Sequence, residues 1–240
     1  MNTRLPLACM AFAVFSAASL NSSAATLLFD FGANTSQMEP IDDPTFAWNN
    51  VPISVASNSA GQLFDFVTTE NVPTDIDLMM IARFNGANEN GTLASTLYPS
   101  DATRDSLYGN TELFGGLTNI FPEFKLTSLD PLKTYDFTFY ASRTGTSDNR
   151  ETQYTVTGAA TGIVYLNVAN NINNQITLFG MAPDANGEIT IRLNPGPANN
   201  NANHFTYLGV LKVDVIPEPS SAVLLLGGTS ILGFIRRRKA

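Results

Sequence analysis

Alternating apolar and polar positions dominate the middle of the chain. The alternation is clearest in residues 135–141, where Tyr135, Phe137 and Phe139 share one face, and in residues 188–193. A period of two predicts strands that bury one face and expose the other. Weaker runs of the same kind predict further strands at residues 27–31, 62–67, 77–84, 121–126, 152–157, 163–168, 175–179 and 205–215.

Turn-forming residues separate these runs. Gly and Asn cluster in residues 86–91, 184–187 and 194–203, and both residue types tolerate the positive φ angles that tight turns require. No stretch of ten or more residues between 26 and 216 keeps an apolar period of 3.6, so no long helix is predicted there. The pattern therefore predicts an all-β fold, a jelly-roll sandwich of two antiparallel sheets.

The N-terminus has the order of a secretory signal. A short basic start precedes an apolar run, and small residues at positions 23–25 form a cleavage site. The sequence therefore predicts a signal peptide over residues 1–25 that signal peptidase removes. The single cysteine, Cys9, lies within this segment, so the exported chain is expected to contain no disulfide.

The C-terminus carries three features in a fixed order. Pro217, Glu218 and Pro219 precede an apolar run over residues 222–235, and a basic cluster follows it at once. The run is shorter than the roughly 20 residues of a spanning helix, and positive charge is retained on the cytoplasmic side. A hydrophobic helix that anchors the exported chain temporarily is therefore predicted, with a permanent tail anchor as the alternative. The basic cluster consists of Arg236, Arg237, Arg238 and Lys239.

This order resembles the PEP-CTERM sorting signal of Gram-negative bacteria, here over residues 217–240. The resemblance implies export across the inner membrane and cleavage near Pro217 to Pro219 by an exosortase-type protease. It further implies release to the cell surface or extracellular matrix of a bacterium that makes exopolysaccharide. The chain is expected to touch the membrane only through this segment, before processing, and residues 26–216 are expected to form the folded domain.

The balance of charge narrows the possible partners. Hydrophobic residues make up 44% of the chain and charged residues 14%, a composition that suits a packed domain. Residues 26–216 hold 8 basic and 20 acidic side chains, a net charge of −12. Nucleic acid and anionic polymers are disfavoured because no basic stripe is present to bind them. Neutral glycans and cations remain compatible with this charge.

The inventory of reactive side chains argues against catalysis. His204 is the only histidine, which excludes a zinc site built from several histidines and, without an exported cysteine, a cysteine–histidine pair. The segment at Ser106, Arg-Asp-Ser-Leu, resembles the GDSL block of SGNH hydrolases, but Asn201 stands where that family has the aspartate of Asp-x-x-His. A non-catalytic protein is predicted. Carboxylate-dependent glycan hydrolysis is the remaining catalytic alternative, with candidates Asp101, Asp105, Glu112, Asp148 and Glu151.

Several segments weakly resemble galactose-binding-like sandwich domains of secreted bacterial proteins. They are residues 29–32, 48–50, 142–143 and 207–210. The resemblance implies carbohydrate binding and a structural calcium ion. Sugars stack their C–H faces on aromatic rings and need amide or carboxylate partners for their hydroxyls, so the candidate sugar contacts are Trp48, Asn49, Asn50, Tyr98 and Tyr108. Packing within the sheets is the alternative for each of them.

Oxygen-rich loops supply candidate calcium ligands. Asp148, Asn149 and Glu151 offer carboxylate and amide oxygens, and Asp42 with Asp43 offers a second set. Asx turns are the alternative explanation for such loops. Taken together, the sequence predicts an exported, non-catalytic carbohydrate-binding or matrix-interaction module. The alternative is a structural surface protein without a defined ligand.

Overall fold

The segments with alternating hydrophobicity form strands in the computed structural model, which describes residues 24–217. Fourteen strands and two short helices lie in this range. They are β1 (Ala25–Gly32), β2 (Asn49–Pro52), α1 (Ile53–Ala56), β3 (Gln62–Leu63), β4 (Asp77–Ala82), β5 (Gly86–Asn88), α2 (Ser100–Thr103), β6 (Ser106–Gly109), β7 (Glu123–Thr127), β8 (Thr134–Tyr140), β9 (Glu151–Thr157), β10 (Thr161–Asn167), β11 (Ile176–Met181), β12 (Ile189–Pro195), β13 (Thr206–Leu208) and β14 (Val210–Ile216).

The strands form two large sheets and one small sheet. Sheet A has the order β11-β8-β14-β1-β2, sheet B has the order β10-β9-β12-β7-β4-β3, and sheet C has the order β13-β6-β5. Neighbouring strands are antiparallel except β1 and β2, which are parallel. The predicted two-sheet antiparallel sandwich is therefore confirmed, with one parallel pair and one additional small sheet.

The core lies between sheets A and B. Phe137 and Phe139 of β8 are buried on one face of sheet A, as their alternation predicts. The ring of Phe139 stacks on Tyr154 of β9 in sheet B, with the ring centroids 4.3 Å apart and the planes 10° from parallel. Phe31 of β1 meets Phe124 of β7 at 5.1 Å between centroids. Aromatic rings from both sheets thus interdigitate in one hydrophobic core.

The opposite face of sheet A carries a smaller hydrophobic cluster. Tyr140 is fully buried on this face, so it points away from Phe137 and Phe139 as the alternation predicts. Val210 lies beside Tyr140, and the loops that follow β1 and precede β6 cover both residues. The half-buried rings of Trp48 and Tyr98 pack against this cluster. The covered outer face of sheet A is therefore where two of the candidate sugar contacts, Trp48 and Tyr98, lie.

Three strands depart from the sequence-based expectation. Residues 86–88 were expected to form a turn, and residues 49–52 and 106–109 carry no clear alternation, yet all three segments are strands. β2 is held by parallel pairing with β1, and β5 and β6 pair with each other. Such short strands depend on distant partners, which leave no local periodicity in the sequence.

The predicted targeting segments lie almost wholly outside the described residues. These include the signal peptide up to residue 23 and the sorting segment from Glu218 onward, with Pro219, the apolar run and the arginine cluster. Pro217 is described and follows directly on β14. Within residues 24–217, neither helix has the length or the apolar character needed to cross a membrane.

Candidate functional site

The loop before β2 places Trp48 over the outer face of sheet A. Its indole Nε1 donates a hydrogen bond to Asp43 Oδ2 at 2.9 Å. Its ring meets the Tyr98 ring edge-on, with the centroids 6.0 Å apart. The Tyr98 hydroxyl donates to Gln175 Oε1 at 2.9 Å, and burial raises the pKa of Tyr98 to about 12. Tyr98 is therefore a neutral hydrogen-bond donor at physiological pH, and its contacts with Trp48 and Gln175 fix its position.

These rings border an open depression that we call the Trp48 groove. It has a volume of about 540 Å³, and its lining includes Phe46, Trp48 and Tyr98 together with Gln175 and Lys212. The Phe46 ring is 48% exposed. A second depression of about 420 Å³ lies beside the same loop and shares Phe46 and Trp48 with the first. The groove thus combines an exposed aromatic surface with a polar rim.

Asn49 and Asn50, also predicted as sugar contacts, use their side chains for hydrogen bonds to backbone groups beside this groove. Asn49 is buried, and its side chain bonds the Leu28 carbonyl together with both the amide and the carbonyl of Val67. The side chain of Asn50 bonds the amide and the carbonyl of Met38. Both amide groups therefore support β2 and its neighbours, and the sugar-contact role of Asn49 and Asn50 remains a prediction.

Tyr108 lies elsewhere, in a depression that we call the Arg143 groove. Tyr108 sits on the central strand of sheet C, paired with Tyr207 of β13. The groove has a volume of about 380 Å³ and lies between sheet C and the loops that carry Arg143 and Phe205. Its aromatic wall is formed by edge-on contacts, with the Phe114 and Phe205 centroids 4.8 Å apart. Its remaining lining residues are Ala87, Asn88, Glu89, Asn90 and Arg150.

Arg150 braces the aromatic wall. Its guanidinium lies 5.6 Å from the Phe205 ring centroid and 5.9 Å from that of Tyr207. Arg150 Nη1 donates to the Tyr207 hydroxyl at 2.5 Å, and Nε donates to Asp148 Oδ1 at 2.9 Å. Burial opposes the Arg150 charge, but hydrogen bonds to Asp148 and Tyr207 outweigh it and raise the pKa of Arg150. Arg150 is thus a fixed cation that orients Tyr207.

The candidate calcium ligands have protein partners. Asp148 binds Arg150 and also accepts a hydrogen bond from Asn201. Asn149 Oδ1 accepts from the Glu151 amide, and Glu151 Oε1 accepts from the amide of Ala198, each at 2.9 Å. Within residues 24–217, no group of three or more His, Cys, Asp or Glu side chains is arranged to hold a metal ion. The calcium site at Asp148, Asn149 and Glu151 remains a prediction.

The residues considered for catalysis are not assembled into a triad. Ser106 lies buried in β6, where Asn88 Nδ2 donates to its hydroxyl at 3.3 Å. His204 Nδ1 instead bonds the Thr111 hydroxyl at 3.2 Å. In the described part of the chain, Ser106 therefore has no hydrogen bond to the base that a serine nucleophile requires.

We expect Asp148→Asn to loosen Arg150 and lower the free energy of unfolding by about 1–2 kcal/mol. The Arg150 hydrogen bond holds the pKa of Asp148 below its ordinary value. This stabilisation is therefore fully present above the ordinary carboxyl pKa and is lost as the pH falls through the lower folded value. Urea unfolding at pH 7 and pH 3 measures it. The variant should differ from the wild type at pH 7, and the difference should shrink at pH 3.

Asp75→Asn is the matched control for this measurement. Asp75 is exposed, so its substitution should leave the unfolding free energy unchanged at both pH values. Equal stability of Asp148→Asn and the wild type at pH 7 would show that the link from Asp148 to Arg150 does not brace the groove.

Comparison with known proteins identifies the C-terminal signal. The PEP-CTERM protein-sorting motif matches residues 215–239. The predicted succession of Pro217, Glu218 and Pro219, apolar run and arginine cluster is thereby confirmed as this motif, which indicates export and a C-terminal sorting anchor. No curated protein shows significant similarity to the chain.

Several solved structures are distantly similar to the chain. The plant receptor-like kinase ANX2 of Arabidopsis thaliana has a TM-score of 0.46 and 11% identity, over 80% of this chain and 48% of that one. TmCBM61 in complex with β-1,4-galactotriose has a TM-score of 0.30 and 7% identity, covering 60% and 85%. CpGH89CBM32-5 from Clostridium perfringens, in complex with GalNAc-β-1,3-galactose, has a TM-score of 0.27 and 10% identity, covering 59% and 94%.

The similarity to the plant receptor-like kinase covers only part of that receptor chain. The chain spans about half the length of the plant receptor chain it matches. At such low identity and TM-score, none of the three similarities carries information about a ligand. The class of protein is therefore defined by two features, a β-sandwich domain and a PEP-CTERM sorting motif. The chain is an exported, surface-directed protein.

Proposed function

We propose that this protein is a non-catalytic glycan-binding module of the bacterial surface matrix and that the Trp48 groove is its binding site. The observation that carries the proposal is the half-exposed Phe46 ring beside Trp48, on the rim of a groove of about 540 Å³. An exposed ring in a polar-rimmed depression suits the C–H face of a sugar.

The polar rim supplies groups for sugar hydroxyls. Gln175 is exposed, and its Oε1 accepts from Tyr98 while its Nε2 donates no hydrogen bond within residues 24–217. Asp42 and Glu70 line the same groove and offer carboxylate oxygens. Directed acceptors and donors around an aromatic platform provide the orientation that stacking alone lacks.

The charge of the groove favours a neutral glycan. Lys212, the basic residue that lines it, pairs with Asp214 at 2.9 Å. Asp42, Asp43 and Glu70 add negative charge to a domain that is already strongly acidic. An anionic polymer would be repelled over about 8 Å at physiological ionic strength.

The last strand fits processing at the sorting motif. β14 pairs with β1 and β8 and ends at Ile216, one residue before Pro217. Cleavage near Pro217 to Pro219 by an exosortase-type protease would therefore remove no residue that is paired in the sandwich. The proposal places the processed domain at the cell surface or in the exopolysaccharide matrix of a Gram-negative bacterium, after export and removal of the signal peptide by signal peptidase.

Retention of purified full-length protein on a panel of neutral polysaccharides tests the function. We expect Phe46→Ala and Trp48→Ala each to reduce retention about tenfold, because aromatic stacking of about 1.5 kcal/mol is lost. Phe179→Ala is the matched control, since Phe179 is 73% exposed on β11 and does not line the groove. Calcium and a chelator are included to test the predicted ion.

Two outcomes would contradict the proposal. Unchanged retention of Trp48→Ala would remove this groove from the binding site. Failure of folded wild-type protein to bind any polysaccharide of the panel would favour the structural surface protein without a ligand. Loss of polysaccharide mass during incubation would instead point to hydrolysis by carboxylates.

A further inference from the structure

The Arg143 groove holds polar groups that the protein itself does not use. Within residues 24–217, Glu89 forms no hydrogen bond and no ion pair, although it is exposed at the groove. The Tyr108 hydroxyl likewise makes no hydrogen bond there. Arg143 uses Nη1 on the adjacent Thr144 carbonyl, which leaves Nε and Nη2 free to donate. A carboxylate, a hydroxyl and a guanidinium edge, all without partners in the described part of the chain, therefore belong to side chains that line one depression.

The Trp48 groove differs in this respect. There the Trp48 indole is bound to Asp43, the Tyr98 hydroxyl to Gln175, and the Lys212 ammonium to Asp214. The Trp48 groove therefore keeps carboxylate oxygens and the Gln175 amide nitrogen for a ligand, whereas the Arg143 groove offers a carboxylate, a hydroxyl and a guanidinium edge.

The wall of the Arg143 groove is rigid and partly exposed. Phe114 is 41% exposed and contacts Tyr108 edge-on, with the centroids 5.9 Å apart. The Phe205 ring contacts both Tyr108 and Phe114. The Arg150 guanidinium lies over the Phe205 ring and is held there by its hydrogen bonds to Tyr207 and Asp148. A ring that is fixed in place costs little conformational entropy when a ligand stacks on it.

The charges around the groove balance. Arg143 and Arg150 contribute two positive charges, and Glu89 and Asp148 contribute two negative charges. A neutral ligand is therefore favoured over an anionic one. A carboxylate and a guanidinium edge that line one depression, and that have no partner within residues 24–217, suit the hydroxyls of a sugar, because the carboxylate accepts from one hydroxyl while the guanidinium donates to another.

We propose that the Arg143 groove is a second binding site, which takes a neutral sugar unit through Glu89, Arg143 and the Tyr108–Phe114 wall. The volume of about 380 Å³, smaller than that of the Trp48 groove, suits a chain end or a short branch. The inference rests on the proposed glycan-binding function and extends it. One domain with two sugar sites binds two chain segments at once, which cross-links a polysaccharide by multivalency.

Calorimetry with full-length protein and soluble neutral tri- to hexasaccharides, β-1,4-galactotriose among them, separates the two sites. The variants are the double change Phe46→Ala with Trp48→Ala, the single change Arg143→Met, and all three together. Arg143→Met keeps the backbone bonds of residue 143 to Val168 and Asn170. Glu89→Gln is a second variant that preserves the shape of the side chain. Arg192→Met is the matched control, because Arg192 pairs with Glu123 on sheet B, away from both grooves.

We expect the double variant to keep one site and the triple variant to bind at that site about ten- to hundredfold more weakly than the double variant does. Arg143→Met and Glu89→Gln should each weaken the site that remains in the double variant about ten- to hundredfold, the effect of losing a hydrogen bond to a charged group. Wild-type protein should also cross-link a long neutral polysaccharide into a gel or precipitate. Variants of either groove should bind it without cross-linking.

The failures are distinguishable. Loss of all binding in the double variant, or residual binding that Arg143→Met leaves unchanged, would overturn the second site while the Trp48 groove stands. Absence of binding by the wild type would overturn both proposals. Loss of binding in Arg143→Met alone, with the double variant unaffected, would support the Arg143 groove and refute the Trp48 groove.

Discussion

Tyr154→Ala is expected to lower the free energy of unfolding by about 3–5 kcal/mol, the range for truncating a buried aromatic residue. Tyr154 of β9 is fully buried, and its ring stacks on Phe139 of β8, so it joins sheet B to sheet A. Its hydroxyl donates to the Tyr207 carbonyl of β13 at 2.7 Å, so it also joins sheet C. Truncation leaves a cavity where all three sheets meet.

Tyr154→Phe separates the hydroxyl from the ring. This variant keeps the stack on Phe139 but leaves the buried Tyr207 carbonyl without its Tyr154 partner, a cost of about 1–3 kcal/mol. Because Tyr207 also lines the Arg143 groove, Tyr154→Phe should weaken sugar binding there more than binding in the Trp48 groove. Denaturant unfolding together with calorimetry measures both effects.

Tyr165→Ala is the control for the aromatic truncation. Tyr165 lies on the edge strand β10 and is 43% exposed, so its removal should cost less than 1 kcal/mol, as is usual for surface sites. A loss for Tyr154→Ala no larger than that for Tyr165→Ala would contradict the central position of the Phe139–Tyr154 stack.

The strands that the sequence predicts best are those with one face buried in the core and the other face outside it. β8 and β12 each bury one face in the core, so their alternation reports burial directly. β6 has no such alternation because Ser106 and Leu107 are both buried, one on each side. Its place is decided by pairing with β5 and β13, and pairing between distant segments leaves no local signature.

The residue types of the candidate site could be predicted from the sequence, but which of these residues lie together in one groove could not. Trp48 and Tyr98 are fifty positions apart, yet their rings touch; Tyr108 is close to Tyr98 in sequence but lies in the other groove. Glu89 was not singled out from the sequence because the Gly- and Asn-rich run around it predicts only a turn. Arg150 pairs with Asp148, whereas Arg143 keeps a guanidinium edge without a partner within residues 24–217. Only the fold brings these residues together.

The outer face of sheet A holds a buried carboxyl group that the hydrophobic pattern does not predict. Asp30 of β1 is 1% exposed, and within residues 24–217 neither of its carboxylate oxygens has a hydrogen-bond partner. Asp105 lies against the same strand, since both its oxygens are 2.7 Å from where a Cβ on Gly32 would stand. Asp105 accepts hydrogen bonds from the Ala33 amide, at 2.6 Å, and from the Ser36 hydroxyl. Asp105 is therefore the better stabilised carboxylate of the two.

Burial, and to a smaller extent the charge of Asp105, raise the pKa of Asp30 well above its ordinary value. The folded protein then binds a proton that the unfolded chain has already released. Stability is therefore highest below the ordinary carboxyl pKa and falls as the pH rises through the folded value. We expect this group to make the wild type less stable at pH 8 than at pH 5.

Asp30→Asn should reverse this loss. The amide cannot ionise, so the variant carries no buried, unpartnered charge at this position. The variant should therefore be more stable than the wild type at pH 8, and its stability should change less between pH 5 and pH 8. Urea unfolding at both pH values measures the difference, with exposed Asp75→Asn as the control. An Asp30→Asn variant that is less stable than the wild type at pH 8 would show that the charged carboxylate is itself stabilising, which requires a cationic partner for Asp30 and Asp105.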